Sequence, residues 1–211
     1  MKNYKGYLQT DGYAAYNQFD QIEGIIVVNC WAHARHKFID AQDFDNTKPS
    51  EVLVQIQLLY AVEKQCTENG YTAAEIKNYR QQHAVPILKT LHQILQTQLA
   101  NSLPKSPLGF ALQYTLAQWD KLNVYTQDGN LRIDNNLVEN SIRPIAIGRN
   151  NYLFAGNHEA AGISALLYSL FATCKLHNVN PIQWLTYVFE NINGHKINAM
   201  KNCCRKIMLH Y

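Results

Sequence analysis

The residues of this chain most able to do chemistry are two carboxylates, Asp11 and Glu139, which lie 128 positions apart. Asp11 follows Tyr7 to Thr10, a short run typical of a β-strand, and precedes Gly12. Open α/β sheets bind ligands at the carboxyl ends of their strands, which is where this pattern puts Asp11. The structural alternative is that Asp-Gly simply forms a turn.

Glu139 falls within a predicted helix and has polar neighbours at helical spacing. Asn135, Asn136 and Arg143 precede or follow it by four, three and four positions, so all four side chains share one face. A carboxylate beside two amides and a guanidinium can hold a cation or contact phosphate, and Arg149 extends the basic character. The alternative interpretation is an ordinary solvated face.

A Cys-x-x-His spacing occurs twice, at Cys30 and His33 and again at Cys174 and His177. Two Cys and two His can bind zinc, so a helical zinc-binding module is one hypothesis. The two pairs lie inside apolar segments far apart in sequence, which favours buried free thiols instead. We therefore predict that Cys30 is buried and that His33 forms a hydrogen bond near the second strand.

Composition excludes several classes of protein. The chain has 211 residues, 47% hydrophobic and 17% charged, with a net charge of +3. No apolar run reaches the roughly 18 residues of a membrane span. Its five Cys have no framework spacing, which indicates a reducing, cytoplasmic compartment. We therefore expect no membrane partner, and any nucleic-acid contact must come from local patches rather than overall charge.

Periodicity predicts an α/β protein that is mostly helical. Residues 7–10 and 24–29 are strands around a short helix, and the second strand looks buried on both faces, as in a parallel sheet. Residues 50–125 have only helical spacing, including a short helix at 75–82 that is separate from an apolar helix at 85–99. A helix that Asp134 caps should end near Ile142, because Pro144 disfavours helix at the residue before it.

Four stretches of the sequence resemble the insertion sequence 66 family of transposases. They are long, ordered and specific, and the similarity extends to about Ile192. The stretches are 11–16 (DGYAAY), 30–38 (CWAHARHKF), 133–144 (IDNNLVENSIRP) and 147–156 (IGRNNYLFAG).

The resemblance implies a DDE transposase with an RNase H-like core, in which two Asp and one Glu hold two magnesium ions. It also implies that manganese can substitute for magnesium. Asp11 matches the second Asp and Glu139 the Glu. Cys30 and His33 match a Cys-x-x-His signature between them. We therefore expect the two carboxylates to converge within about 12 Å, since a two-metal site needs its ligands close together.

The resemblance also implies a domain organisation: a partial RNase H-like core with a large all-helical insertion. Residues 1–48 are the first part of the core and 49–127 the insertion. Residues 128–193 are the second part of the core, with the Glu helix and the last helices. Residues 194–211 are a tail that we expect to be unstructured or frameshifted, because codons from Asn202, read two nucleotides later, permit the family's Leu-Leu-Pro ending.

Two departures from the family pattern affect the functional prediction. The first Asp of the family lies upstream of the position of Met1, and no residue here supplies it, nor is the amino-terminal DNA-binding portion present. His36 stands where the family usually carries Arg, a mild change. We therefore expect a truncated, inactive transposase fragment. The alternative is a non-catalytic product that binds DNA or interferes with an intact transposase.

The resemblance implies two kinds of partner. One is DNA, both the ends of the insertion sequence and the target; the other is a second chain, through self-association or pairing with an intact transposase. Arg143 and Arg149, with Asn135 and Asn136, are the residues that we expect to contact DNA; for the two arginines this role is inferred from their charge rather than from the family. The implied location is the bacterial cytoplasm, in association with the nucleoid.

Overall fold

The computed structural model describes residues 4–152 and 154–194. Two strands, β1 (Gly6–Thr10) and β2 (Ile25–Asn29), flank a 3-10 helix at Ala14–Gln21. Eight α-helices follow in the described chain, with further 3-10 helices at Val124–Gln127 and Ile192–Gly194. The α-helices are α1 (Trp31–Gln42), α2 (Thr47–Glu68), α3 (Ala73–Ala100), α4 (Pro107–Ala117), α5 (Trp119–Asn123), α6 (Asn136–Tyr152), α7 (His158–Leu176) and α8 (Pro181–Asn191).

The described strands pair in parallel, in a register that runs from Gly6 opposite Ile25 to Thr10 opposite Asn29. The predicted strands and their parallel arrangement are therefore confirmed. The second strand is less buried than predicted, because Ile26 is 45% exposed whereas Val28, on the same face, is fully buried. Val28 belongs to the core cluster and Ile26 does not, so the cluster covers only the carboxyl-terminal part of this face of β2.

The chain divides into two compact units, residues 1–137 and 138–211. The first unit holds the sheet and α1 to α5, and its core is a single cluster to which both the strands and the helices of 49–127 contribute. Leu91 and Leu95 of α3 and Ile56 and Leu59 of α2 are fully buried in that cluster. The predominantly helical α/β class is thereby confirmed.

The second unit contains most of α6 together with α7 and α8. Its buried cluster is small and consists of Cys174, Val179, Trp184 and Val188. Of the helices described in either unit, none has both the length and the apolar character needed to cross a bilayer. The predicted tail, 194–211, lies outside the described residues except for Gly194.

Two predicted helix boundaries are wrong, and a proline lies inside the continuous helix in each case. The short helix at 75–82 is part of the continuous helix α3, which passes through Pro86, and α6 passes through Pro144 to Tyr152. Proline removes one backbone donor and costs a helix interior about 3 kcal/mol. In α3 the buried face on both sides of Pro86, at Ala84 and Leu88, offsets that cost.

Candidate functional site

Asp11 lies directly after β1, at the carboxyl end of the sheet. Its Oδ1 accepts a hydrogen bond from the backbone N–H of Tyr13 at 2.9 Å, so the predicted turn does form. Its Oδ2 accepts no hydrogen bond from residues 4–152 or 154–194. The turn therefore fixes the carboxylate and leaves one oxygen able to meet a cation.

The turn is packed closely against the helical part of the first unit. The hydroxyl of Tyr114, on α4, donates to the Asp11 carbonyl at 3.4 Å. Gly12 has φ +82°, and a Cβ on it would come within 2.5 Å of that hydroxyl, so only glycine fits there. Burial raises the pKa of Tyr114, which keeps the hydroxyl protonated as a donor. Lys37 Nζ lies 4.5 Å from the centre of the Tyr114 ring.

Buried polar side chains join the carboxyl ends of the two strands. Thr10 Oγ1 donates to Asn29 Oδ1 at 2.9 Å, and Asn29 Nδ2 donates to Gln118 Oε1 at 2.8 Å. Thr10 and Asn29 are the last cross-strand pair, so Asp11 and Cys30 follow them side by side. The sequence analysis did not predict a role for Asn29 or Gln118. For Asn29 a signal was available, since it is an amide that ends an apolar strand.

Cys30 is 1% exposed, which confirms the predicted burial. Its Sγ accepts a hydrogen bond from the backbone N–H of Asn135 at 3.4 Å. His33 is half-buried in the first turn of α1, and its predicted hydrogen bond stays a prediction. The described residues contain no group of three or more His, Cys, Asp or Glu that could hold a metal ion, so they do not support the zinc hypothesis.

The segment before α6 is held by the first unit at several points. Tyr60 donates its hydroxyl to Asp134 Oδ2 at 3.0 Å, and the Trp31 backbone N–H donates to the Ile133 carbonyl at 3.1 Å. Asp134 Oδ1 accepts from the backbone N–H of Asn136, the first residue of α6, at 3.2 Å. Asp134 therefore accepts a hydrogen bond at the start of α6, but it lies one position before the N-cap and not at it as predicted, because the helix begins at Asn136. Asp11, Cys30 and the first two residues of α6 therefore all belong to the first unit.

The remaining candidates lie along α6. Glu139 is exposed in its first turn, and Arg143 follows one turn later and is also exposed. Arg149 is exposed in the last turn, where it lines a cleft of about 240 Å³ that Phe154 and Tyr168 also border. Asp11 belongs to the first unit and Glu139 to the second, so the convergence of the two carboxylates stays a prediction.

Comparison with known proteins decides which family these motifs come from. The model of the Transposase IS66 family matches residues 1–163, and that of the IS66 C-terminal element matches residues 169–203. The chain belongs to the IS66 transposase family. The part of the chain that the first of these models matches includes both Asp11 and Glu139.

Two relatives from Sinorhizobium fredii (strain NBRC 101917 / NGR234) are similar over most of this IS66 chain. The uncharacterized protein y4jD is 32% identical over 199 residues, which are 91% of this chain and 39% of the relative. The uncharacterized protein y4qI is 30% identical over 200 residues, 91% of this chain and 37% of the relative. The chain therefore spans less than two fifths of each relative's length. No solved structure matches it.

Proposed function

We propose that this chain is the carboxyl-terminal part of the catalytic region of a DNA transposase, with a partial RNase H-like core. Its chemistry would be two-metal cleavage and transfer of DNA strands. The observation that carries the proposal is the position of Asp11, at the carboxyl end of a parallel strand with one carboxylate oxygen uncommitted. Membership of the IS66 family supports the same activity.

Asp11 and Glu139 are the proposed magnesium ligands, because hard carboxylate oxygens are the ligands that this ion prefers. Two such ions, when bound, activate a water or a 3′-hydroxyl and stabilise the leaving oxygen. The turn at Tyr13 orients the Asp11 carboxylate before any ion arrives. Arg143 and Arg149, with Asn135 and Asn136, are the proposed contacts to the DNA backbone.

A metal titration tests the carboxylate roles, with Mn²⁺ as the probe and electron paramagnetic resonance as the readout. We expect Asp11→Asn and Glu139→Gln each to weaken Mn²⁺ binding at least tenfold, because loss of even an outer-shell partner of a metal ligand costs about 10–100-fold in affinity. Asp45→Asn is the control for Asp11, because Asp45 forms the same turn by accepting from the Thr47 N–H at 2.9 Å. Glu159→Gln is the control for Glu139, because Glu159 lies in the first turn of α7. Equal affinity in all five proteins would refute the site.

We further propose that the isolated 211-residue polypeptide does not transpose DNA, because the family's first Asp has no counterpart in it. A strand-transfer assay with Mg²⁺ or Mn²⁺ on the element's own ends tests this. The expected result is no product. Product that disappears in the Glu139→Ala variant would show that another residue takes the place of the first Asp.

A non-catalytic role is the second candidate, and two observations favour it. The exposed arginines of α6 suit phosphate, and within the described residues β1 is paired along one edge only, so a strand of an intact transposase could add to it. Arg143→Gln and Arg149→Gln should each weaken DNA binding and lower the salt dependence by about one charge. Lys175→Gln, an exposed cation on α7, is the control and should change neither. Such binding would place the protein at the nucleoid.

A further inference from the structure

Three consecutive residues before α6 are bonded to two different elements of the first unit. Ile133 accepts from the Trp31 N–H, Asp134 accepts from the Tyr60 hydroxyl, and the Asn135 N–H donates to Cys30 Sγ. Trp31 begins α1 and Tyr60 lies in α2. Hydrogen bonds from two directions fix both the position and the orientation of this short segment.

We infer that Cys30 and Tyr60 are positioning residues that fix where α6 begins and, through it, the place of Glu139 in the first turn of that helix. The inference rests on the proposed function for the role of Glu139 as a metal ligand. Neither Cys30 nor Tyr60 is placed in contact with metal or DNA. They act through Asp134 and Asn135.

The chemistry of the two groups suits this role. Burial raises the pKa of the Cys30 thiol, so the sulfur is neutral and accepts a hydrogen bond rather than serving as a thiolate ligand. Burial and the neighbouring Asp134 carboxylate likewise raise the pKa of Tyr60, so its hydroxyl remains a donor. A hydroxyl that donates to a carboxylate forms a stronger hydrogen bond than one that donates to a neutral acceptor.

The position of Asn135 connects these bonds to Glu139. The carbonyl of the residue that precedes a helix accepts the first intrahelical hydrogen bond, from the residue four positions on. For a helix that begins at Asn136, those two residues are Asn135 and Glu139. Since an α-helix has 3.6 residues per turn, a shift of its register by one residue would turn Glu139 by about 100° about the helix axis.

Residues 125–131, which precede this short segment in the chain, are held separately. The Arg80 guanidinium donates to the carbonyls of Tyr125, Asp128 and Leu131 at 2.8 to 2.9 Å. Arg80 is part of the buried interior, so its loss would disturb the whole unit. Cys30 and Tyr60 each contribute one bond to the segment, so they can be altered while the unit stays folded.

The test combines amide hydrogen exchange by NMR with Mn²⁺ titration of the full chain. The variants are Tyr60→Phe and Cys30→Ala. The controls are Tyr79→Phe, whose ring centre lies 4.1 Å from that of His83, and Cys66→Ala, another buried thiol. We expect exchange at the amides of Asn135, Asn136 and Glu139 to rise about tenfold in each variant, the effect of one lost hydrogen bond. The controls should leave these three amides at the wild-type rate.

Mn²⁺ affinity separates positioning from a merely structural role. It should fall several-fold in Tyr60→Phe and in Cys30→Ala, and Cys30→Ser, which keeps an acceptor, should lie closer to wild type. Suppose that Glu139→Gln lowers Mn²⁺ affinity. If Tyr60→Phe and Cys30→Ala then exchange faster but keep the wild-type Mn²⁺ affinity, the inference is overturned. Unchanged exchange at Glu139 would overturn it as well. If Glu139→Gln itself leaves Mn²⁺ affinity unchanged, the proposed function fails, and exchange alone decides the positioning role.

Discussion

The two units of this chain use apolar helices in different ways. The first unit buries twenty residues in one continuous cluster, whereas the second has a cluster of four. Helices α4 and α7 are both rich in apolar residues, yet Leu166 on α7 is 60% exposed while Leu112 on α4 is fully buried. Apolar spacing therefore predicts that a helix has a face to cover, but the rest of the fold decides whether it is covered.

The polar anchors of the units differ in the same way. In the first unit a buried guanidinium, Arg80, bonds to Glu63 and to three carbonyls distant in sequence. In the second unit Asn157 caps α7 and Asn180 caps α8, and both caps are local contacts. Long-range bonds thus hold the first unit, and capped helix ends are among the polar anchors of the second.

The largest effect is expected at Arg80. Arg80→Met would leave the Glu63 carboxylate without its partner and three carbonyls without a donor, and breaking a buried pair costs about 3–5 kcal/mol. The free energy of unfolding can be measured by urea, with Trp31 and Trp119 fluorescence in a Trp184→Phe background. Lys64→Met is the control, because Lys64 and Glu68 form an exposed pair worth about 0.5 kcal/mol. Similar losses in the two variants would contradict the long-range role of Arg80.

A matched pair of leucines tests the difference in burial. Leu91→Ala in the first unit should cost about 2–5 kcal/mol, because it leaves a cavity in a fully buried cluster. Leu166→Ala in the second unit should change stability by less than about 0.5 kcal/mol, as expected of an exposed side chain. Urea unfolding of each variant gives the comparison. A large loss at Leu166 would mean that this face is covered in solution, which would narrow the difference between the units.

Local patterns were enough to predict much of the fold. The two strands, the helical character of 50–125 and the burial of Cys30 follow from residue types and periodicity. The break predicted between residues 82 and 85 and the helix end predicted near Ile142 are wrong, because tertiary packing or the rest of a long helix can offset the backbone donor that a proline lacks.

The candidate site was predictable only in part. The position of Asp11 at a strand end could be predicted, because it depends on neighbours in sequence. Tyr114, Gln118 and Tyr60 could not, since their partners lie 74 to 103 positions away and periodicity carries no information about such pairs. The convergence of Asp11 and Glu139 rests on the family resemblance and stays a prediction.

We expect a helix cap to contribute more to helix stability where the helix has few buried contacts, as in the second unit. Asn180 Oδ1 accepts from the backbone N–H groups of Ile182 and Gln183, and Pro181 occupies the first turn of α8. Asn180→Ala should cost about 1 kcal/mol, and Asn180→Ser, which keeps an acceptor, should cost less. Exchange of α8 amides followed by NMR measures this. Equal exchange in the two variants would show that the side-chain acceptor contributes nothing to α8.

The smallest predicted effect is the pH dependence of the first unit, and it comes from the start of α3. The Thr72 hydroxyl and backbone N–H donate to Glu75 Oε2 at 2.7 and 2.8 Å, and these bonds lower the pKa of Glu75 below its ordinary value. A carboxyl whose pKa is lower in the folded than in the unfolded state stabilises the fold above its unfolded pKa. That stabilisation is lost as pH falls through the folded pKa.

Glu75→Gln should therefore make the stability of the first unit less sensitive to acid below about pH 4.3, the ordinary pKa of Glu. Gln keeps the capping geometry but does not titrate. Some acid sensitivity should remain, because bonds from Asn130 lower the pKa of Asp128 in the same direction. Urea midpoints between pH 3 and 7, read from Trp31 and Trp119, give the slope. Glu159→Gln, at the equivalent turn of α7 in the second unit, should leave the slope unchanged. An identical slope for wild type and Glu75→Gln would show that this cap does not contribute to the acid sensitivity of the first unit.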